Sequence, residues 1–238
     1  QMSSPNQPLY LKIRENLISR IASGIYATGE CLPSEIALAE AEGVSPGTVR
    51  KAIDSLVADG ALRRHQGKGT FVAEQTEERS QFQFFRLSDP QGKRVFPTPG
   101  KVGITGELAS RHVAGCLDIP GGARVWKIDR IRLIDTSPAI LETIVVSRDL
   151  MPELGPAEDL PNALYPFYQS RFGLTVLSTD DRLSAIMAST MDAQKLGRTR
   201  STPLLVIERI ARDLMGRPIE WRRTRCLCQG NAWAVSQR

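Results

Sequence analysis

A chain of 238 residues is long enough for one large domain or for two of ordinary size. Its composition, with 41% hydrophobic and 24% charged residues, is typical of a globular protein with a substantial core. The formal net charge of +5 favours an acidic partner only mildly, because the cations and acids of residues 1–76 balance each other.

The sequence excludes a membrane-spanning helix, because no apolar run approaches the ~18–20 residues that cross a bilayer. The first residues, QMSSPNQP, lack the basic-then-apolar build of a secretory signal. Four cysteines without such a signal predict reduced thiols in the cytoplasm.

Two helices are predicted first. Residues 8–24 carry apolar side chains at every fourth position, which is typical of one helix face. In residues 31–44, Ser34 can cap a second helix, and the link at residues 43–45 matches the tight turn of a helix-turn-helix. The positions of this second helix that we expect to face inward are Ile36, Leu38 and Ala39.

A third helix begins at a clear start signal. Ser45 can cap the free amides of the first turn, and Pro46 suits the first helical position. Arg50 and Lys51 lie off the apolar face, near the positive end of the helix dipole. That apolar face is formed by Val49, Ile53, Leu56 and Val57.

A basic hairpin follows this helix. Residues 61–65 and 70–73 are predicted strands, and Asp59-Gly60 separates them from the helix. Their connection, Gln66-Gly67-Lys68-Gly69, is a glycine-rich turn with a cation at its tip. A short helix followed by a basic hairpin is the layout of a winged helix-turn-helix, which predicts DNA binding.

The stretch PSEIALAEAEGVSPGTVRKAIDSLVADGALRRHQGKGTFV resembles the DNA-binding domain of the GntR family of bacterial transcription regulators. In that family the third helix enters the major groove and the wing lies along the minor groove, as dimers on a two-fold operator. The resemblance implies phosphate or base contacts from Ser45, Thr48 and Arg50. It also implies a wing tip formed by Gln66, Gly67, Lys68 and Gly69.

Two positions depart from the family pattern. Many relatives have Arg where this chain has Ile36, and Arg or Gln where it has Pro46, so two potential donors to DNA are absent. Gly47 likewise offers no side chain at the front of the helix. We therefore expect fewer base contacts from the helix start and a larger share from Arg63, Arg64 and His65 on the hairpin.

Residues 75–80 are short and polar and predict a linker between a DNA-binding domain of residues 1–74 and a second domain of residues 81–238. Within the second domain, hairpins are predicted over residues 123–147 and 204–228. The other predicted elements are strands over residues 82–87 and 174–185 and helices over residues 106–117, 160–172 and 189–196. Long antiparallel hairpins with intervening helices predict an α+β fold.

This second domain resembles the UTRA ligand-sensing domain of the HutC branch of the same family. The resemblance rests on VWKIDRIRLID, SPAILETIVVSRDLMP, TPLLVIERIARDLMGRPIEW and the helix LYPFYQSRFG. Such domains share a fold with chorismate lyase but normally bind a metabolite without transforming it. The expected fold class is therefore α+β, with a winged helix-turn-helix followed by an antiparallel-sheet domain.

Charged residues on apolar strand faces indicate where a ligand could bind. Side chains alternate along a strand, so Arg130 and Arg132 share a face with Trp126, Ile128 and Ile134. A buried guanidinium is costly without a partner, and its fork matches phosphate or carboxylate. A similar pattern follows in the next strand, where one face carries Ile140, Glu142 and Ile144.

The UTRA resemblance implies an effector site at Thr98, Arg130, Arg132, Glu142 and Glu220. One interpretation is an anionic, hydroxyl-bearing metabolite with arginine on the anion and glutamate on the hydroxyls. The other is an internal salt-bridge network that only fixes the sheet. Relatives often carry a tyrosine six residues after the last glutamate, where this chain has Cys226.

The remaining motifs predict no chemistry. Cys226 and Cys228 have the period of packed strand residues, so we expect no metal there and no cofactor elsewhere. Arg222-Arg223-Thr224-Arg225 could add contacts to DNA or effector, but we favour its interpretation as a solvated edge strand protected by charge. The sequence contains no GxSxG, Ser-His-Asp or phosphate-loop pattern, so nucleophilic catalysis has no candidate.

Together these patterns predict a cytoplasmic homodimer that binds double-stranded operator DNA, as a repressor that a small anionic metabolite releases. One alternative is a constitutive DNA-binding dimer whose second domain only dimerises. Another is a lyase-like enzyme with Arg130, Arg132 and Glu142 in its active site.

Overall fold

The computed structural model describes residues 7–227 and 232–233, apart from the side chains of residues 81–83 and 232. The N-terminal domain has three helices and a two-stranded antiparallel hairpin. In chain order these are α1 (Leu9–Ala22), α2 (Glu35–Glu42), α3 (Pro46–Ala58), β1 (Leu62–His65) and β2 (Gly69–Val72).

The sequence signals at the helix ends have the expected geometry. The hydroxyl oxygen of Ser34 accepts a hydrogen bond from the amide of Ala37, and that of Ser45 accepts from the amide of Thr48. Gly43 adopts the left-handed conformation, with φ of 66°, that ends α2 and begins the turn to α3. The buried core of the domain includes Ile13, Leu17, Leu38, Val49, Ala52, Ile53 and Leu56.

The inward orientation predicted for Ile36 is wrong, since this residue is 63% exposed. Leu38 and Ala39 are buried, as predicted. Positions two apart on an α-helix differ by about 200° in direction, so Ile36 and Leu38 cannot share one face. The helix geometry therefore turns Ile36 to solvent.

The segment predicted as a linker is partly helical. Only residues 73–76 lack regular structure, and α4 (Glu77–Phe84) follows them directly. The hydroxyl of Thr76 accepts a hydrogen bond from the amide of Arg79, and two acidic residues occupy the first turn, so this helix start is well capped. The strand predicted over residues 82–87 is wrong, because α4 continues to Phe84 and only β3 (Leu87–Ser88) is extended.

The second domain is built on a six-stranded antiparallel sheet in the order β4-β5-β6-β9-β8-β7. The predicted hairpins are confirmed. The strands are β4 (Thr98–Leu108), β5 (Arg124–Ile134), β6 (Ser137–Ser147), β7 (Val176–Met187), β8 (Pro203–Asp213) and β9 (Pro218–Leu227). A separate two-stranded sheet pairs β3 with β10 (Ala232–Trp233).

The helices cover both faces of the large sheet. They are α5 (Arg111–Leu117), α6 (Leu164–Phe172) and α7 (Thr190–Leu196), with a 3₁₀ turn at Ala157–Asp159. On one face, α4 and α6 pack over Ile128 and Ile144, and on the other, α5 packs over Val125 and Val145. The helix predicted over residues 106–117 is too long, because β4 extends to Leu108 and the cap at Ser110 starts the helix only at Arg111.

The interpretation of residues 222–225 as an edge strand is wrong. β9 pairs with β6 on one side and β8 on the other, so it lies in the middle of the sheet. Only about a tenth of the Arg222 side chain is exposed. In the described part of the chain, no helix is long and apolar enough to cross a membrane.

Candidate functional site

The start of α3 carries two of the predicted DNA contacts. The hydroxyls of Ser45 and Thr48 lie 2.9 Å apart, and the Ser45 oxygen also accepts the amide of Thr48 at 3.2 Å. Ser45 is exposed and Thr48 is partly exposed. The two hydroxyls therefore stand at the front of the helix, where they can still accept or donate one more hydrogen bond.

Glu35 on α2 holds two of the predicted DNA-binding arginines. One of its oxygens lies 2.7 Å from Nε of Arg50 and the other 2.9 Å from Nη2 of Arg64. Arg64 also contacts Asp54, with 2.6 Å between Nη1 and Oδ1. Solvent-exposed ion pairs of this kind contribute little net free energy, so a DNA phosphate can replace the carboxylate.

The wing projects the remaining predicted residues into solvent. Gln66, Gly67, Lys68 and Gly69 are all exposed, and the positive φ angles of the two glycines close the turn between β1 and β2. On β1, at the base of the wing, Arg63 donates from Nε and Nη2 to Nε2 of His65, at 3.0 and 2.8 Å. The structure thus brings all the predicted wing residues to one end of the N-terminal domain.

In the second domain, a buried ladder of charges crosses three neighbouring strands. Nη2 of Arg130 on β5 lies 2.7 Å from a carboxylate oxygen of Glu142 on β6. The other oxygen of Glu142 lies 3.3 Å from Nη1 of Arg222 on β9. Arg222 in turn forms a two-pronged ion pair with Glu220, with contacts of 2.8 and 2.9 Å. Burial alone would raise the pKa of Glu142, but the arginines around it hold that pKa well below its ordinary value.

Two further groups continue this ladder. The hydroxyls of Tyr165 and Tyr168 on α6 both donate to Glu220, and burial beside that carboxylate raises the pKa of Tyr165 to about 12. Arg209 on β8 pairs with Asp181 on β7 through two contacts of 2.7 Å. Every carboxylate of the ladder is therefore engaged by arginine.

Arg132 is the exception among these arginines. Its nearest carboxylate oxygen, on Glu142, is 3.9 Å away, and Nη2 donates instead to the carbonyl of Pro97 and to Oδ1 of Asn162. Its Nε is buried and has no hydrogen-bond partner in the described structure. Burial lowers the pKa of Arg132 to about 10, against the opposing effect of Glu142. The charge of Arg132 is thus incompletely compensated.

A small cavity of about 40 Å³ opens against these groups. Four arginines contribute to its wall, together with Asn162 and Tyr165 at the start of α6 and with Ser80 and Phe84 of α4. Because one buried water needs roughly 10–15 Å³ of such volume, the cavity as described admits a few waters and no sugar-sized ligand. The arginines on its wall are Arg130, Arg132, Arg209 and Arg222.

The other predicted effector residues lie around this cavity rather than on it. Glu142 and Glu220 lie behind the arginines, and both carboxylates are already paired. Thr98 is exposed at the start of β4, where its neighbour Pro97 supplies a carbonyl to the cavity wall. Cys226 is 2% exposed and belongs to a buried apolar cluster with residues of β6 and α7.

Metal-binding chemistry finds no support in the described residues, where no group of three or more suitable side chains could hold an ion. Cys228, the second thiol of the pattern considered in the sequence, lies outside the described residues. His112 contacts Glu208 on the opposite face of the sheet, at 2.8 Å.

Comparison with known protein families agrees with both halves of this structure. Residues 9–72 match the model of bacterial regulatory proteins of the gntR family, and residues 102–228 match the UTRA domain. A probable fructoselysine utilization operon transcriptional repressor of Escherichia coli K12 is 31% identical over 217 residues, which cover 90% of this chain and 88% of that protein.

The chain belongs to the GntR family. It carries a UTRA domain and is a DNA-binding transcription regulator rather than an enzyme. The HTH-type transcriptional repressor NagR of Bacillus subtilis is 29% identical over 85% of this chain and 83% of that protein. The crystal structure of PhnF from Mycobacterium smegmatis has a similar fold, with a TM-score of 0.54 and 24% identity over 95% of this chain and 99% of that one.

Sequence reasoning did not identify several residues that line the cavity of this GntR-family chain. Arg209 and Asn162 carry no local signal, because β8 and the loop before α6 reach the cavity only through the folding of the sheet. Arg222 was noticed but assigned to an edge. The alternation of side chains along β9 could have indicated that Arg222 faces the cavity, since Glu220 and Arg222 share one strand face.

The ladder predicts a specific effect of neutralising Glu142. We expect Glu142→Gln to lower the free energy of unfolding by about 3–5 kcal/mol at pH 7, because it leaves buried arginines without their carboxylate. The folded-state pKa of Glu142 is depressed, so its stabilisation is complete above the ordinary carboxyl pKa and disappears as pH falls through the depressed value. The difference from wild type should therefore be constant at neutral pH and shrink in acid.

Urea unfolding from pH 7 to pH 3 measures both effects. Asp180→Asn, which breaks the exposed pair with Arg212, is the matched control and should change stability by no more than about 1 kcal/mol. An equal, small effect of the two substitutions would contradict the importance of the buried ladder.

Proposed function

We propose that this regulator is a repressor that binds operator DNA as a homodimer through α3 and the wing, and that a small anionic metabolite in the arginine-lined cavity releases it. The observation that carries the effector half of this proposal is the buried, unpartnered Nε of Arg132. A phosphate or carboxylate oxygen can accept from that donor and balance the charge.

The charges of the lining residues favour the arginine-lined cavity, rather than the larger cleft beside it, as the site for an anionic effector. That cleft, of about 730 Å³, lies between the N-terminal domain and α6 and shares Ala163 with the cavity wall. Its ionisable lining residues within the described chain are the acids Glu74 and Glu77. An anion would be repelled there and attracted to the arginines.

The carboxylates of the ladder then have a positioning role. Glu142 and Glu220 hold Arg130 and Arg222 in fixed directions, which leaves the arginine edges toward the cavity for the ligand. The two interpretations left open by the sequence are compatible, since a salt-bridge network can form the floor of an anion site.

The names of the relatives guide the choice of ligands. The Escherichia coli relative is described as a repressor of a fructoselysine utilization operon. We therefore place phosphorylated sugars and sugar–amine conjugates first among the anions to test. The ligand must bind the DNA-free arrangement more tightly than the DNA-bound one, because otherwise it cannot shift the equilibrium.

Homodimerisation and a cytoplasmic location complete the proposal. Proteins that recognise two-fold symmetric operators place one DNA-binding domain on each half-site, and a homodimer supplies the two domains.

In the described sheet β7 pairs only with β8, and it exposes Leu183 (44%) and Met187 (57%) at the opposite edge. A second copy that pairs there would cover both residues, so Leu183→Lys should shift the mass measured by sedimentation from dimer to monomer. A dimer that is unaffected would exclude this edge.

A thermal-shift series tests the effector site. We expect one class of phosphorylated sugars to stabilise the wild type, by about 2.7 kcal/mol at a hundredfold excess over Kd. Arg132→Ala should abolish this stabilisation, whereas Arg212→Ala, which breaks an exposed pair elsewhere, should retain it. Absence of stabilisation by every phosphate and carboxylate would favour a constitutive DNA-binding dimer.

Salt dependence tests the DNA surface. If Arg50 leaves Glu35 to meet a phosphate, Arg50→Gln should weaken binding to random-sequence duplex and lower the salt slope by about 1. Lys51→Gln removes the same charge one residue further along, but its ammonium lies 4.2 Å from the ring centre of Tyr10 on α1. We expect a smaller effect from Lys51→Gln, and equal effects would mean that Arg50 acts only through net charge.

A further inference from the structure

Helix α4 is hydrogen-bonded at both ends, to different domains. At its C-terminal end the carbonyl of Phe84 accepts from Nη2 of Arg209, a residue of the cavity wall, at 2.7 Å. Near its start, Nη2 of Arg79 donates to the carbonyl of Gly60 at 2.7 Å. Five residues of helix span about 8 Å, so these two contacts lie on one short rigid element.

Gly60 is the residue at which the DNA-reading helix ends. It follows Asp59, the C-terminal cap of α3, and has a φ of 81°. A side chain at this position would collide with Nη2 of Arg79. The guanidinium of Arg79 therefore fits closely against the end of α3, and a Cβ at residue 60 would force it to shift.

Helix α6 makes a second connection of the same kind. Its first residues, with Asn162 before them, line the cavity, and Gln169 lies one turn before its end. The Gln169 side chain donates to the carbonyl of Ala73 at 3.2 Å and accepts from the amide of Gln75 at 2.8 Å. Ala73 in turn donates to the carbonyl of Ala61, the residue after Gly60.

The small size of the cavity connects these interdomain contacts to ligand binding. Ser80 and Phe84 of α4 form part of its wall, and the space of about 40 Å³ is too small for a sugar phosphate. Full enclosure of such a ligand would displace wall residues. Because Phe84 and Arg79 are on the same helix, a displacement of Phe84 also displaces the guanidinium at the end of α3.

We propose that Arg79 and Gln169 are positioning residues that form an interdomain clasp, through which the state of the cavity sets the orientation of the DNA-reading helix. This inference rests on the function proposed above, and it adds the residues that join its two sites. The contact between Arg79 and the end of α3 is of a kind that can break and re-form. Its described hydrogen bonds are to the carbonyls of Gly60 and Glu74, and burial together with nearby Arg63 lowers its pKa.

The reciprocity of allosteric coupling provides a test that needs no effector. If the clasp couples the DNA-binding surface to the cavity, DNA bound to the N-terminal domain must alter the cavity wall. The probe is a random-sequence 30-base-pair duplex at low salt, and the readout is hydrogen–deuterium exchange of residues 77–84 and 160–165 in the full-length protein. In the wild type we expect DNA to change the exchange rate of these segments by about 5-fold or more.

Two substitutions should remove this response while DNA still binds. Arg79→Lys keeps the charge but lacks the fork that reaches both carbonyls, and its partly exposed site tolerates the change. Gln169→Glu keeps the acceptor for Gln75 and removes the donor to Ala73. Arg111→Gln, which alters an exposed arginine on α5, is the control and should respond like the wild type.

The outcomes separate this inference from the proposed function. Failure of the wild type to bind any duplex would overturn the proposed function and the clasp with it. Binding without a change in either segment would overturn the clasp alone, as would a wild-type response that persists in Arg79→Lys. Should Gln169→Glu not fold, the result for Arg79→Lys still decides.

Discussion

The second domain depends on the ion pairs that Glu142 makes inside the sheet. A carboxylate that is 2% exposed can remain charged only because Arg130 and Arg222 approach it from the two neighbouring strands. Around the cavity, four arginines face three carboxylates, those of Glu142, Glu220 and Asp181. Among these arginines, Arg132 is the least closely paired, because its nearest carboxylate oxygen, on Glu142, is 3.9 Å away, and Glu77 on α4 is a further acid that acts on it. This arrangement is the basis of our proposal that the cavity binds an anion.

The sequence predicted most of the N-terminal domain because its signals are local. Caps at Ser34 and Ser45 and the apolar spacing of α3 depend on residues within one or two helical turns. The error at Ile36 arose from hydrophobicity alone, which says nothing of direction around a helix. The ion pairs of Glu35 with Arg50 and Arg64 were missed because they join α2 to α3 and β1 across the fold.

In the second domain, prediction succeeded within strands and failed between them. Alternation along β5 and β6 correctly placed Arg130 and Glu142 on the apolar faces of their strands, and the UTRA resemblance correctly brought the two residues together. The sheet order, in which β9 lies between β6 and β8, is set by pairing over long separations in sequence, so the arginines of β9 were assigned to an edge. Helix α4 was not predicted for a different reason. Its polar composition suggested a linker, although Ser80 and Phe84, four residues apart, form a buried stripe.

The shared position of Glu35 has a consequence for how the protein behaves among many competing DNA sites. In the DNA complex that we propose, an arginine that meets a phosphate must first leave Glu35, and this exchange is the same for every base sequence, whereas an arginine that meets a base edge adds to the choice among sequences. The exchange lowers the affinity for chromosomal background and for the operator by the same factor, so it leaves their ratio unchanged. In this proposal Glu35 acts as an internal counterion that weakens phosphate contacts to any DNA, while the choice among sequences belongs to groups that touch the bases.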